Sequence, residues 1–189
     1  MRLRQGKLPT NLLKSLILNK IRMTDPSVII GPRIGYDSAV IRTQDSSLII
    51  SSDPAIYNPP NIPPEMFAFG TVHFAASDVA VFGAKPRYMV VDLLFPVGSE
   101  ISFVEKIQQA IVREADSMKI SIIGGHTAAY HGLIIPISTT TMLGYPLREK
   151  IILPSNAKVG DKIIVTKEIG LEFIVALAYY NEEKLIDIL

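Results

Sequence analysis

The chain has 189 residues, of which 48% are hydrophobic and 20% are charged, and its net charge is +1. This composition supports a hydrophobic core, and the scattered basic residues exclude the concentrated positive charge of a nucleic-acid-binding surface. The sequence contains no cysteine, which excludes disulfides, thiolate metal sites and a cysteine nucleophile within it and favours a cytoplasmic location. No apolar run approaches the roughly 18 residues of a membrane-spanning segment, so we expect no membrane partner.

The N-terminal part of the chain predicts one helix followed by a pair of strands. Leucine and isoleucine residues repeat at helical spacing after Thr10 or Asn11, and either of these two residues could cap the helix. Proline and glycine residues predict a loop over residues 24–36. Two short strands follow at 38–43 and 47–52, and a polar turn joins them into a hairpin.

The stretch Phe69–Pro86 predicts a helix at the centre of the fold, preceded by a proline-rich surface loop at 54–64. Apolar residues recur on every side of this stretch, which is typical of a buried helix, and Gly83 is a natural stop. Asp78 lies within it, and a buried carboxylate without a partner is costly. Asp78 therefore either caps a neighbouring loop or binds a metal ion and phosphate at a cleft, and both interpretations stay open.

The second half of the chain alternates strands and helices. The continuous apolar run at 87–97 predicts a strand buried on both faces, and an amphipathic helix follows at 101–118. Residues 120–123 predict a short strand that leads into a glycine turn, and 133–143 predict a further strand. This order of elements predicts that residues 1–150 form one α+β domain, with helices on one face of a mixed sheet.

Residues 151–189 are predicted to be a linker and the incomplete start of a second α+β domain. The polar residues 147–161, rich in proline and glycine, mark the boundary. A strand is predicted at 162–166 and a helix at 171–180, with more helix after it. This segment is too small to bury a core of its own. It therefore either opens a domain that continues beyond the sequence or packs against the first domain.

Three acidic residues, Asp37, Asp53 and Asp78, stand at element ends or in the buried helix. Asp37 precedes the first hairpin strand and Asp53 follows the second, so an antiparallel hairpin brings these two residues close together. Carboxylate oxygens on different elements are the ligands that Mg²⁺ takes, usually together with substrate phosphates. We therefore expect Asp37, Asp53 and Asp78 to bind Mg²⁺.

A glycine pair follows the predicted strand at 120–123. Gly124 and Gly125 would let backbone N–H groups approach an anion, with His126 and Thr127 directed to the same place. Each of these features is also common in ordinary turns, and a lone histidine is more often a hydrogen-bonding side chain than a catalyst. The usual nucleotide-binding loops, GxxxxGK[ST] and GxGxxG, do not occur in the sequence.

Six motifs occur in the order found in the aminoimidazole-ribonucleotide (AIR) synthetase, or PurM-like, superfamily. They are GKLP, GYDSAVI, SSDP, VHFAASDVAVFGAKP, IGGHT and VGDKIIVTKEIGLE. The superfamily includes thiamine-monophosphate kinase, selenophosphate synthetase and hydrogenase-maturation protein E, and the GGHT and GKLP motifs are most similar to the hydrogenase-maturation branch. The resemblance implies a PurM-like N-terminal domain, followed by a second domain that begins near Ala157.

The resemblance also implies ATP and Mg²⁺ as cofactors. Members of the superfamily bind MgATP in a cleft formed with a partner subunit, and their N-terminal domains pair sheets into a barrel across a homodimer. Asp37, Asp53 and Asp78 match the metal and phosphate acids, and Lys7 matches the N-terminal segment that reaches the nucleotide. The glycine-rich turn of the family, a further part of the nucleotide site, is matched by Gly124, Gly125, His126 and Thr127.

We expect a homodimer whose interface is formed largely by residues 38–53, 87–97 and 133–143. These strands are apolar on more faces than the helices of one small domain can cover. The resemblance suggests another maturation protein as a further partner beside the nucleotide. We expect His126 to contact bound phosphate or a partner side chain rather than a metal ion, because a lone histidine is a poor zinc site.

Three departures from the family pattern leave two functional hypotheses open. Ser77 replaces an asparagine before the acid, the loop at 55–60 is bulkier than the family's glycine-containing loop, and no cysteine can carry the carbamoyl group that the maturation protein dehydrates. One hypothesis is an ATP-dependent enzyme that activates an oxygen of a carbonyl-type or phosphate substrate, with His126 and Asp78 as candidate catalytic residues. The other is a non-catalytic paralogue that acts as a nucleotide-binding or assembly protein.

Overall fold

The computed structural model describes residues 2–58, 62–167 and 169–180. Its strands are β1 (Val28–Ile30), β2 (Ala39–Arg42), β3 (Ser47–Ile56), β4 (Ala84–Pro96), β5 (Ser121–Tyr130) and β6 (Ile137–Pro146). Its α-helices are α1 (Thr10–Leu16), α2 (Pro64–Ala80), α3 (Ile101–Ser117) and α4 (Leu171–Tyr180), and short 3₁₀ helices lie at Leu18–Lys20 and Pro154–Asn156. None of the described helices is long and apolar enough to cross a membrane.

The strands form one mixed sheet in the order β1-β2-β3-β6-β4-β5. Strands β4 and β5 are parallel, and helix α3 makes the crossover that a parallel pair requires. The other neighbours are antiparallel. The predicted α+β class and the predicted mixed sheet are confirmed. The loop predicted over 24–36 also contains the three-residue strand β1, which is too short to show a period-two pattern.

The core lies between the sheet and the helices α2 and α3. Every second residue of β4 is buried there, namely Met89, Val91, Leu93 and Phe95, as the alternation of side chains along a strand requires. Helix α2 packs on β3, β6 and β4, and helix α3 packs on α2 and β5. Because the two helices also contact each other, they cover the same face of the sheet, as predicted.

The residues that alternate with the core point to the opposite face of the sheet. Along β4 these are Tyr88, Val90, Asp92 and Leu94, all of which are partly exposed. This face extends across the neighbouring strands, because Asp92 is paired with Thr139 of β6 and with His126 of β5. A homodimer that covers this face stays a prediction.

Helix α2 differs from the predicted helix in its start and in its burial. It begins at Pro64, because proline is well suited to the first turn of a helix. Its buried side consists largely of small residues, including Ala68, Gly70, Thr71, Ala75 and Ala76, which let the helix lie close to the sheet. Phe69 and Phe74 are 47% and 37% exposed, so the prediction that the helix is buried on every side is wrong.

Asp53 does not follow the second hairpin strand as predicted but lies within it. Strand β3 continues to Ile56 and pairs with β6 along its whole second half. Strand β2 pairs with β3 only up to Ile50, so Pro54, which lacks an N–H group, lies where β3 is bonded on one side only. The proline-rich loop predicted from residue 54 therefore starts later, and residues 59–61 of that loop lie outside the described part of the chain.

The glycine turn predicted at residues 124–127 is wrong, because Gly124, Gly125, His126 and Thr127 lie inside β5 and pair in parallel with β4. A bulge separates Ile122 from Gly124 in that pairing. A Cβ atom on Gly125 would stand 1.8 Å from the backbone oxygen of Val91, so the close approach of β4 requires glycine at this position.

The strand predicted at 162–166 is also wrong, since the structure has no strand there. Ile163 and Ile164 are 94% and 84% exposed, and in the described residues no neighbouring strand supplies the hydrogen bonds that would fix this segment as a strand. The helix predicted at 171–180 is confirmed as α4. The further helix predicted after it lies outside the described residues.

Candidate functional site

The structure brings Asp37, Asp53 and Asp78, here called the acid cluster, to one end of helix α2. Asp78 lies in the last turn of α2, Asp53 lies on the face of β3 that carries the core, and Asp37 lies in the loop before β2. The buried hydroxyl of Ser51 in β3 stands 2.8 Å from Oδ2 of Asp78 and 3.0 Å from the carbonyl oxygen of Asp37. Strand β3 therefore connects the three acids.

A second serine fixes the end of helix α2 against the start of β2. The buried hydroxyl of Ser38 donates a 2.8 Å hydrogen bond to the backbone carbonyl oxygen of Asp78. This carbonyl is one of the groups that the end of a helix leaves without a partner inside the helix. The two serines thus hold the backbone and the side chain of Asp78 separately, and the carboxylate has a fixed position.

The acid cluster concentrates negative charge in a partly desolvated place. Loss of solvent is the main cause that raises the pKa of Asp78, and the charges of Asp53 and Asp37 raise it further, against the hydrogen bond from Ser51 and the charge of Lys7. The pKa of Asp53 is raised mainly by desolvation and also by Asp37, and Lys7 again opposes the rise. The three carboxylates and Lys7 therefore act on one another electrostatically.

Lys7 belongs to this neighbourhood although it is far from the acids in sequence. Its side chain is exposed, and its positive charge lowers the pKa of both Asp53 and Asp78. The N-terminal segment thus supplies a cation beside the acids. Its role toward a nucleotide stays a prediction.

The acid cluster by itself is not a complete metal cage. Among the described residues, no group of three or more His, Cys, Asp and Glu side chains is placed to hold a metal ion. Mg²⁺ usually keeps several waters and takes one or two carboxylates together with substrate phosphates, so two of these acids would suffice for a shared ion. The hydroxyl of Thr140, whose residue is paired with Asp53 across β3 and β6, is buried without a hydrogen-bond partner in the described structure. The donor set fits a cation shared with phosphate.

His126 is not brought to the acid cluster within one chain. It is paired with Asp92, which points away from the core, whereas Asp53 lies on the core face. Strands β3 and β5 are also three places apart in the sheet, roughly 14 Å at the usual strand spacing. Its Nε2 atom instead lies 2.9 Å from the hydroxyl oxygen of Tyr130. Gly124, Gly125 and Thr127 share this exposed edge strand and lie equally far from the acids.

The sequence analysis missed a cavity of about 690 Å³ between α2, the end of β3 and α4. Phe69, Phe74 and His73 of α2 line it, and Lys167 lines it from the segment before α4. The ring of His73 stacks on Phe69, with centroids 3.9 Å apart, and its Nε2 lies 2.7 Å from Oε1 of Glu114 in α3. The sequence signal for this cavity was the second apolar side of α2, with Phe69 and Phe74, which does not pack against the sheet.

The six-stranded mixed sheet with helices on one face is the fold of a PurM-like N-terminal domain. Residues 35–145 match the N-terminal domain of the AIR synthase related proteins, and this match extends over more than half of the chain. The chain belongs to this family, as the motifs of the sequence predict.

The relatives of the chain come from several branches of the family. It is 31% identical over 165 residues to a hydrogenase expression/formation protein of Methanocaldococcus jannaschii, covering 87% of this chain and 49% of that protein. The chain spans about half the length of the curated relatives it matches. Its relatives include hydrogenase-maturation proteins, thiamine-monophosphate kinases and selenide, water dikinases.

Two solved structures show the same fold. AaThiL, a protein complexed with AMPPCP and TMP, has a TM-score of 0.67 and 20% identity, over 80% of this chain and 53% of its own. The hydrogenase maturation protein HypE in complex with ATP has a TM-score of 0.56 and 20% identity, over 82% of this chain and 45% of its own. At this level of identity the likeness concerns the fold alone.

Proposed function

We propose that the acid cluster binds MgATP and that the chain is the ATP-binding part of an ATP-dependent enzyme similar to HypE. The observation that carries the proposal is the grouping of Asp37, Asp53 and Asp78 around Ser51 at one end of α2, where Lys7 lowers the pKa of Asp53 and Asp78. Three neighbouring carboxylates repel one another and destabilise the ligand-free protein, so a purely structural role does not explain why they are grouped. Relatives complexed with ATP and with AMPPCP support the choice of nucleotide.

Each residue of the cluster has a distinct role in this proposal. Asp53 and Asp78, both partly buried and restrained by β3, would hold the ion, and the exposed Asp37 would bind its waters. Mg²⁺, when bound, neutralises charge on the phosphates and orients them. Lys7 would offset the remaining phosphate charge, because phosphoryl transfer depends mainly on positioning and electrostatics.

The reaction would use ATP to activate an oxygen atom of a carbonyl-type or phosphate substrate. That oxygen forms a bond to the γ-phosphorus while the bond from this phosphorus to the bridging oxygen breaks, and ADP leaves with the electron pair. An oxygen that already carries negative charge needs no base to remove a proton. This agrees with the position of His126, which lies on β5, three strands away from Asp53 in the sheet.

The complete site would include a second copy of the chain and the rest of the protein. In a homodimer that pairs the open sheet faces, the partner would supply the edge strand with Gly124, Gly125, His126 and Thr127. Residues 151–189 would begin a second domain, in agreement with the chain's coverage of about half of each curated relative. Another maturation protein would be a further partner, and the site of action would be the cytoplasm.

A non-catalytic nucleotide-binding or assembly protein is the second candidate function. Ser77 next to Asp78 is exposed and shorter than the asparagine of the family pattern, so it would hold a phosphate or metal water less well. Under this hypothesis the chain binds MgATP but does not convert it.

Calorimetric titration with magnesium and an ATP analogue that has a methylene group between its β- and γ-phosphorus atoms tests the nucleotide proposal. We expect one site per chain, and we expect Asp53→Asn to weaken binding about tenfold or more, which is about 1.4 kcal/mol. Asp116→Asn, on the exposed side of α3, is the matched control and should bind like the parent. The absence of binding at millimolar analogue would refute both functions, whereas binding without ADP formation from ATP would favour the second.

A further inference from the structure

The cavity between α2 and α4 has the size and shape of a small-molecule site. Its volume of about 690 Å³ falls within the roughly 300–1,000 Å³ that such sites occupy. Its walls come mainly from the end of β3, the outer side of α2 and the inner side of α4, and Lys167 adds to them from the segment before α4. Phe69 and Phe74 remain partly exposed although α4 lies over them, because they face this space.

The cavity lies directly beside the acid cluster. Ala55 lines it and is the next residue after Asp53 on the same face of β3, so the two are about 7 Å apart along the strand. Ser77 also lines it and precedes Asp78 in α2. One end of the cavity therefore lies next to the backbone that carries Asp53 and Asp78.

The basic residue Lys167 lines the cavity and has an unfavourable backbone conformation. Its φ angle of 64° lies in the left-handed region, which glycine adopts more easily than lysine. Lys119 has a similar φ of 58°, but it follows the end of α3, where its N–H bonds to the carbonyl oxygen of Asp116 in an ordinary helix ending. Lys167 precedes a helix, so no helix ending accounts for its conformation.

The lining is complementary to an apolar anion. Among the described lining residues, aromatic and aliphatic side chains dominate, Lys167 is a cation, and no aspartate or glutamate is present. His73 is held by its stacking on Phe69 and by its contact with Glu114, so it forms a fixed part of the wall. A ligand with an apolar body would pack on the phenyl rings, and its anionic group would pair with Lys167.

We propose that this cavity binds the acceptor substrate, a small molecule with an aromatic or aliphatic body and an anionic group that pairs with Lys167. The oxygen that receives the phosphoryl group would then face Asp53 and Asp78 past Ala55 and Ser77. This assignment rests on the proposed ATP-dependent function. It adds the class of acceptor and the place where the acceptor binds.

Two fluorescent probes that differ in one charge test this assignment. The first probe is 1-anilinonaphthalene-8-sulfonate, and the second is N-phenyl-1-naphthylamine, which has the same rings but no sulfonate. The chain contains no tryptophan, so the probe signal is measured without interference from that residue. We expect each probe to bind saturably at one site per chain, with the sulfonate probe binding more tightly.

Lys167→Gly removes the charge and relieves the left-handed conformation. We expect it to weaken the sulfonate probe about fivefold or more, to leave the neutral probe within about twofold, and not to lower the melting temperature. Lys162→Ala, on the same exposed segment but outside the cavity, is the matched control and should leave both probes unchanged. Val175→Phe fills the space from α4 at a position that is 42% exposed, and it should weaken both probes about tenfold or more.

Several results would overturn the assignment. Equal weakening of both probes by Lys167→Gly would mean that the lysine acts only on the structure. The absence of saturable binding would mean that protein fills the cavity, and a change of mass in solution on Val175→Phe would identify a second copy of the chain as the occupant. Titration of the same variants with magnesium and the methylene analogue of ATP separates the two proposals. We expect Lys167→Gly to bind the nucleotide like the parent. If the parent chain itself does not bind the nucleotide, the ATP function is refuted.

Discussion

Ser51 in β3 donates a 2.8 Å hydrogen bond to Oδ2 of Asp78 at the end of helix α2. The same hydroxyl oxygen lies 3.0 Å from the carbonyl oxygen of Asp37. This hydrogen bond lowers the pKa of Asp78 and opposes the loss of solvent and the neighbouring negative charges. One buried serine therefore positions the carboxylate and makes its charged form tolerable within the acid cluster.

Ser51→Ala should destabilise the ligand-free protein by about 1 kcal/mol, because a charged acceptor loses its donor but still reaches some solvent. For a chain of this length that corresponds to a fall in melting temperature of roughly 2–4 °C. Urea unfolding at pH 7 measures the change. Ser155→Ala, exposed in the 3₁₀ helix Pro154–Asn156, is the control and should change the stability by less than about 0.5 kcal/mol. An equal loss of stability in both variants would show that the hydrogen bond to Asp78 contributes nothing beyond the removal of a serine hydroxyl.

The protein should be a homodimer whose interface includes the open face of the sheet, within residues 38–53, 87–97 and 133–143. Light scattering should give twice the mass of the 20.8 kDa chain at micromolar concentration. Val90→Glu places a charge at a partly exposed position on this face and should shift the mass toward one chain. Val112→Glu, at a surface position of α3 that is 38% exposed, should leave the dimer intact. A single-chain mass for the parent would end the dimer prediction.

His126 should contact bound phosphate or a partner side chain rather than a metal ion. It is exposed on the edge strand, and its nearest polar partner in the described structure is the hydroxyl of Tyr130. His126→Ala should therefore change the stability of the fold by less than about 0.5 kcal/mol, while MgATP binding becomes weaker. Tyr130→Phe removes the same hydrogen bond but keeps the imidazole, and it should bind MgATP like the parent. Zinc that survives dialysis at one ion per chain, and is lost in His126→Ala, would contradict this.

The sequence predicts the elements of this fold well because its strong patterns are local. The period-two burial of β4 and the amphipathic pattern of α3 arise within one element, so each can be detected without knowledge of the neighbours. The failures concern places where another strand decides the conformation. Gly125 resembles a turn residue in sequence, but it is required because the backbone of Val91 passes within contact distance of it.

The candidate site divides in the same way. The grouping of the three acids could be predicted from the sequence. The hairpin brings Asp37 close to Asp53, and the family motifs add Asp78. The place of His126 on the far side of the sheet could not be predicted, because one shift of strand register reverses the face of every side chain. The cavity at Phe69 and Phe74 was missed because only the packing of α2 against α4 creates it.

The charge of Asp78 should cost stability in the ligand-free protein. Its folded pKa is raised above the ordinary value of about 3.8, so the folded state holds this proton to a higher pH than the unfolded state does. The contribution of Asp78 to stability is therefore complete below about pH 3.8 and is lost as the pH rises through the folded pKa. Asp78→Asn, which keeps an oxygen that can accept the hydrogen bond from Ser51, should melt higher than the parent at pH 7. The difference should close as the pH falls toward 3.8.

The same variant links stability to ligand binding. Acids in functional sites commonly reduce stability by about 0.5–2 kcal/mol, and we expect a gain of this order for ligand-free Asp78→Asn at pH 7. Mg²⁺ and nucleotide relieve the repulsion in the parent, so the parent should gain more than the variant in a thermal-shift measurement with millimolar MgATP. Asp116→Asn serves as the control for loss of one exposed negative charge. If Asp78 were only a structural acceptor, Asp78→Asn would melt lower with or without ligand. A lower ligand-free melting temperature together with an undiminished MgATP shift would therefore rule out Asp78 as part of the metal site.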